Sequence, residues 1–325
     1  MRFLITGGSG FIGTHLINAL EKRECALFNI DKQRPKRESH LTYWRPCDIL
    51  DVATLQDIVG SIEPTHLVHL AARTDTSGRC LSDYSDNTQG TANILNIIRK
   101  TPSISRSVIT STQFVHRPGT LPNSDEDFNP YTVYGESKVV CEQMVRQAQL
   151  SSAWTIIRPT NIWGPWHPRY PQEFWKILKK GLYLHPGRRP VMRSYGYVGN
   201  VIAQIEKILD APPEVIDRRV LYVGDKPINL FDWANQFSLA LTGKGVRVVP
   251  RGLLYPLALI GDVSTRWRIN FPITTSRFRS MTQDYLTPMD PTIKLFGEGP
   301  YSLEQGIEET VRWLSAQGIF WHSGR

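Results

Sequence analysis

Cysteine is scarce in this 325-residue chain, and none of the four (Cys25, Cys47, Cys80 and Cys141) forms a C-x-x-C pair. That argues against a disulfide framework or a thiolate metal centre. The four read as small buried hydrophobes in a reducing, cytoplasmic setting, with no metal expected. Long apolar runs are also missing. The longest, Leu253 to Ile260, contains Pro256 and is far too short to span a bilayer. Only a few apolar residues precede the first glycines, so no signal peptide is expected. Basic blocks are lacking too. The net charge is +8, yet the densest cluster is only Lys32, Arg34, Lys36 and Arg37. No nucleic-acid partner is expected, whereas an anionic small ligand is.

What is present begins at the N-terminus. Arg2 to Thr6 reads as a buried strand, glycines stand at 7, 10 and 13, and Phe11 onward takes helical spacing. Strand, glycine turn and helix suit a dinucleotide pyrophosphate, because backbone N–H groups reach the phosphates at a helix N-terminus. A second strand ends at Asp31, where a carboxylate can accept from both ribose hydroxyls and so favours NAD. Lys32 and Arg34 just beyond it leave NADP open. Asp48 is placed to meet the adenine amino group or to cap the next helix. Leu70, Ala71 and Ala72 end a fourth strand with small side chains, and a fifth ends in Ser111-Thr112.

This alternation predicts an α/β fold with a Rossmann-type doubly wound parallel sheet and a smaller, interwoven C-terminal α/β lobe. The cofactor domain is expected over 1–162, with 198–224 returning to it; 163–197 and 225–325 form the substrate lobe. Trp163, Trp166, Trp175 and Trp267 are either stacking platforms or core.

Tyr134 and Lys138 lie four apart, on one helix face. A phenol is a poor base near neutrality, and an adjacent ammonium stabilises its phenolate. The phenolate can then take a proton from an alcohol while hydride leaves the same carbon. Thr112 can add a hydroxyl to that oxygen.

Several motifs together resemble the extended short-chain dehydrogenase/reductase superfamily, in its NAD-dependent nucleotide-sugar epimerase/dehydratase branch. They are Thr6-Gly-Gly-Ser-Gly-Phe-Ile-Gly13, His69-Leu-Ala-Ala72, Asn87-x-x-Gly90-Thr91, Ser111-Thr112, Tyr134-x-x-x-Lys138, Arg158-Pro-Thr-Asn161-Ile-Trp-Gly-Pro165 and the late stretch Ser302 to Trp313. The resemblance implies that Tyr134 is the base, Lys138 its partner and Thr112 the hydroxyl donor. It implies cofactor contacts from Gly7, Gly10, Phe11, Ile12 and Gly13, from Asp31, Asp48 and Ile49, and from Leu70, Ala71, Ala72, Asn87 and Lys138. Asn161 resembles a residue that helps hold a substrate diphosphate, and Arg277 or Arg279 is placed to clamp it. A homodimer through the helices near 88–100 and 131–149 is implied as well.

The departures narrow the reaction. Dehydratases of this branch carry acids directly after the Ser/Thr pair, and decarboxylating relatives keep a glutamate there; here Gln113 and Phe114 follow. His116 is either a substrate contact or a solvated loop residue. Tyr195 to Val201 lacks the acidic pair usual in that segment. The expectation is therefore an NAD-dependent epimerase of a nucleotide-diphosphate sugar, acting at C4. The alternatives are a reductase of a 4-keto nucleotide sugar, a hydroxysteroid-type dehydrogenase, or a dinucleotide sensor without chemistry.

Overall fold

The computed structural model describes residues 1–266 and 273–319. Its sheet is built from β1 (Arg2–Thr6), β2 (Ala26–Asp31), β3 (Trp44–Pro46), β4 (His66–His69), β5 (Arg106–Thr110), β6 (Ala153–Pro159) and β7 (Arg219–Val223). Between them run α1 (Phe11–Leu20), α2 (Val52–Ile62), α3 (Ser85–Lys100), α4 (Val133–Gln147) and α5 (Val198–Asp210). The strand order is β7-β6-β5-β4-β1-β2-β3, and every pairing is parallel. The winding reverses at β1, between β2 and β4, which opens a crevice at the carboxyl ends of the strands.

Helices cover both faces, so β1 is apolar on both, as a buried parallel strand must be. Successive side chains point to opposite layers. Phe3 and Ile5 join Leu16, Ile17 and Leu20 of α1 and the apolar face of α5. Leu4 joins Leu55 and Val59 of α2, Ile94 and Ile98 of α3 and Val145 of α4. The result is a three-layer sandwich.

The remaining chain forms α6 (Leu230–Thr242), α7 (Arg251–Arg266), α8 (Thr275–Thr282) and α9 (Leu303–Ala316), with short strand pairs such as Leu184–Pro186 on Arg247–Val249. Trp163, Trp175 and Trp233 pack with Phe237 in a core continuous with the α1 face of the sheet. Trp163 and Trp175 are therefore core, Trp166 packs on Trp313, and Trp267 lies outside the described residues. Cys47 and Cys141 are buried as expected, but Cys80 is exposed, because it caps a single turn at Leu81–Tyr84 on the surface. Among the described residues no helix is long and apolar enough to cross a membrane.

Candidate active site

A cavity of about 590 Å³ runs along the crevice from the glycine turn to the start of α4, within the size range of small-molecule sites. Gly7 opens it with φ +74°, a left-handed conformation, and a β-carbon there would sit 2.5 Å from the Ala71 nitrogen. Only glycine fits. Gly10 precedes α1 without a side-chain cap, which leaves first-turn N–H groups of that helix free for an anion.

Asp31, at the end of β2, accepts from the Ser9 N–H at 3.0 Å and the Gln33 N–H at 2.8 Å. Burial raises its pKa, and these two bonds oppose the rise. Lys32 is engaged elsewhere, with Asp86 at 2.9 Å and Asp48 at 3.3 Å, and Arg34 pairs with Glu38 at 3.0 Å. Asp48 also accepts from the Leu50 N–H at 3.0 Å. The side chain that caps α2 is Asp51, not Asp48.

At the other end Thr132 caps α4 by accepting from the Gly135 N–H at 3.0 Å. A β-carbon on Gly135 would lie 2.4 Å from the Phe114 carbonyl oxygen, so glycine brings the helix onto the turn that follows Thr112. Tyr134, Lys138 and Thr112 are all buried and all line the cavity.

Burial pushes the Tyr134 phenol up to about 12. That net rise stands although the Thr112 hydroxyl and, more weakly, the charge of Arg169 act against it. Lys138 lies one helical turn beyond Tyr134 on the same cavity. Its Nζ donates to the Thr110 carbonyl at 2.9 Å, and burial lowers its pKa. Arg169 also lines the cavity, and its charge lowers the phenol's pKa slightly.

Gly7, Gly10, Phe11, Ile12, Gly13, Asp31, Asp48, Ile49, Leu70, Ala71, Ala72 and Asn161 line the same cavity. Asn87 and Arg279 do not. Asn87 is buried behind the wall, where it accepts from the Arg73 N–H at 2.8 Å and donates to the Arg73 carbonyl at 3.1 Å and the Ser137 hydroxyl at 2.9 Å. It braces the loop after β4 against α4. Arg279 stands exposed on α8.

His116 is neither solvated nor in the cavity lining. It is buried, and its carbonyl accepts from the Tyr285 hydroxyl at 2.7 Å. Tyr195 to Val201 also stays outside the lining. The residues that sequence reasoning missed are His167, Arg169 and Tyr170. They reach the cavity through a loop with positive φ at Gly164 (142°) and Trp166 (65°), and no periodicity announces such a loop. The arginine in that Pro- and Trp-rich stretch was the one available signal.

The family model described as NAD dependent epimerase/dehydratase family matches residues 3–224. An Escherichia coli O157:H7 protein, N-acetyl-alpha-D-glucosaminyl-diphospho-ditrans,octacis-undecaprenol 4-epimerase, is 27% identical over 95% of this chain and 94% of its own. A 3-beta-hydroxysteroid dehydrogenase of Mycolicibacterium neoaurum is 26% identical over 80% and 75%. The Bacillus cereus UDP-glucuronic acid 4-epimerase, solved with UDP-glucuronic acid and NAD, shares the fold at TM-score 0.73. It is 18% identical and covers 98% of this chain and 100% of its own. With the motifs, the parallel sheet and the cavity at its switch point, the match over 3–224 identifies the chain as a member of the NAD dependent epimerase/dehydratase family of enzymes.

Proposed function

We propose that the chain is a cytoplasmic, NAD-dependent epimerase of a diphosphate-linked sugar, acting at C4 with Tyr134 as its base. One observation carries this reading: Tyr134, Thr112 and Lys138 meet at one end of a cavity whose other end is the glycine turn and Asp31. NAD fits the residues present. Gly7 leaves room for a pyrophosphate, the start of α1 offers N–H donors, and Asp31 offers a carboxylate to ribose hydroxyls while Lys32 is occupied by Asp48 and Asp86.

When bound, NAD supplies the hydride acceptor for the sugar carbon. Tyr134 takes the proton of the hydroxyl on that carbon and returns it after the transient ketosugar has turned over. Thr112 holds the same oxygen, Lys138 keeps the end of β5 in place, and Arg169 favours the phenolate. Arg169 and Asn161, both on the cavity wall, are suited to the diphosphate. Gln113 and Phe114 give no acid or base beside Thr112, which favours epimerisation over loss of water. By family resemblance, two copies pair through α3 and α4.

The diphosphate's carrier has two readings. A nucleoside matches the ligand of the Bacillus cereus structure. A polyprenol matches the name of the Escherichia coli relative, and the exposed apolar side chains of α7 favour keeping this second reading.

Incubation with NAD and a panel of UDP-, GDP- and dTDP-sugars, read by NMR and by absorbance of reduced cofactor, tests the reaction. A C4 stereoisomer with no net cofactor turnover is expected. Stoichiometric consumption or formation of NADH, or a dehydrated product, would overturn it in favour of a reductase, dehydrogenase or dehydratase.

A further inference from the structure

Between Leu253 and Ile260 α7 is apolar on its outer as well as its inner side. Leu254 and Ala258 face inward and are buried, whereas Leu253, Leu257, Ile260 and Val263 recur at helical spacing on the outside. Leu253 is 64% exposed, Ile260 54% and Val263 56%. Tyr255 and Leu259 widen the patch. A contiguous aliphatic face of this kind marks an interaction surface and not an ordinary solvated one. The helix has one carboxylate, Asp262, and it is turned to the Thr275 N–H (3.0 Å) and hydroxyl (2.5 Å) at the start of α8.

Positive charge collects where the helix begins. Strand Leu184–Pro186 pairs with Arg247–Val249, the Gly187 N–H donates to the Val249 carbonyl at 2.8 Å, and Arg251 Nε donates to the Pro186 carbonyl at 3.2 Å. Arg188 and Arg189 therefore stand exposed at the end of this pairing where α7 begins, with Arg247 exposed at its other end and Arg251 partly buried. No acid stands in the first turn of α7. Cations at the positive end of a helix do not stabilise the helix itself, so this placement suits an external anion.

We propose that this face of α7 docks on the surface of an anionic lipid bilayer. Leu253, Leu257, Ile260 and Val263 enter the acyl boundary, and Arg188 and Arg189 meet the phosphate headgroups. The net charge of +8 acts in the same direction. α8 packs on α7 and leads to Gln283, whose side chain donates to the Pro118 carbonyl at 3.4 Å, and then to Tyr285, whose ring lies 6.2 Å from that of Phe114 on the cavity wall. One helix thus links the docking face to the sugar end of the cavity. Docking goes beyond the epimerase reading and holds for either carrier, since lipid binding and sugar turnover are read separately.

Flotation with vesicles of equal parts phosphatidylcholine and phosphatidylglycerol, and of phosphatidylcholine alone, tests it at low and high salt. The wild type should float with the anionic vesicles and be released by salt. A Leu253→Ser, Ile260→Ser, Val263→Ser variant should bind at least about tenfold more weakly, with thermal unfolding and turnover of a soluble nucleotide sugar unchanged. Arg188→Glu with Arg189→Glu should remove the preference for anionic lipid. The proposal fails if the wild type stays down with both vesicles or if the serine variant floats as well as wild type. It fails too if light scattering shows the serine changes splitting an oligomer, which would assign the face to a second copy.

Discussion

Arg158 on β6 grips Glu142 on α4 through both carboxylate oxygens, at 2.8 Å each, with both side chains almost wholly out of solvent. Glu142 lies one turn beyond Lys138 and two beyond Tyr134, so the pair pins the helix that carries the phenol to the neighbouring strand. Removing one member leaves a buried charge alone. Glu142→Ala should therefore cost about 3–5 kcal/mol of unfolding free energy in a urea titration. Glu142→Leu combined with Arg158→Met should recover most of it. A double variant as unstable as the single one would show that the pair supplies more than charge balance.

Tyr134→Phe should lower turnover by about 10²- to 10⁴-fold while leaving the thermal shift on adding NAD intact. With the phenol near 12, the base form gains with rising pH, and kcat/KM should climb across the neutral and mildly alkaline range. Thr112→Val removes a bond that pulls the phenol down. Its profile should rise later, at higher pH. A profile that does not move would separate Thr112 from the phenol's protonation.

Gly135→Ala places a methyl 2.4 Å from a backbone carbonyl and must push α4 off the Phe114 turn. Displacement of a reacting group by an ångström costs about 10²-fold in rate. Turnover should fall on that order while the thermal shift on adding NAD, proposed to be anchored at the glycine turn and Asp31, stays within a few-fold. Equal loss of both would point to global disruption.

On the proposed reading Asp31 selects NAD over NADP. NAD should stabilise the protein in a thermal melt and NADP should not. Asp31→Ser should narrow the difference in affinity by tenfold or more, about 1.4 kcal/mol. Wild type that binds NADP as tightly as NAD would remove Asp31 from this role.

His69 is buried between the Thr6 hydroxyl, 2.7 Å from Nδ1, and the Thr91 hydroxyl, 3.2 Å from Nε2. Burial lowers its pKa from 6.5 to about 3. Between those values the unfolded chain binds a proton that the folded one refuses. Stability is therefore complete above 6.5 and falls as pH drops, by up to about 1.4 kcal/mol per pH unit. His40 and His66, each pushed to about 4, act in the same sense. Melting temperature should decline steadily on acidification below neutrality, and His69→Asn should flatten the decline. A pH-independent melt of the wild type would contradict a neutral, buried His69.

The sheet was legible because its strands are continuous apolar runs and its turns are marked by glycine, as at Arg2–Thr6 and Gly7. Tyr134, Lys138 and Thr112 were legible from helical spacing and from a strand end, both local signals. Arg169 was not, since it reaches the cavity only through an irregular loop whose course depends on Gly164 and Trp166. Asn87 shows the opposite limit: its motif was visible, but only packing reveals that it braces Arg73 and Ser137. Arg279 had the right charge for a clamp, yet it is exposed and outside the cavity lining, which charge alone cannot reveal.

β7 joins the sheet only after the chain has left it for some sixty residues, yet it supplies the outer neighbour of β6. A nascent chain emerging from the ribosome must therefore wait until Val223 before the open edge of Ala153–Pro159 is covered. An unpaired, largely apolar strand of this kind is a template for intermolecular pairing. Truncation at the apparent end of the N-terminal half would yield a sticky fragment, and the late-arriving segment works as the built-in seal of that edge.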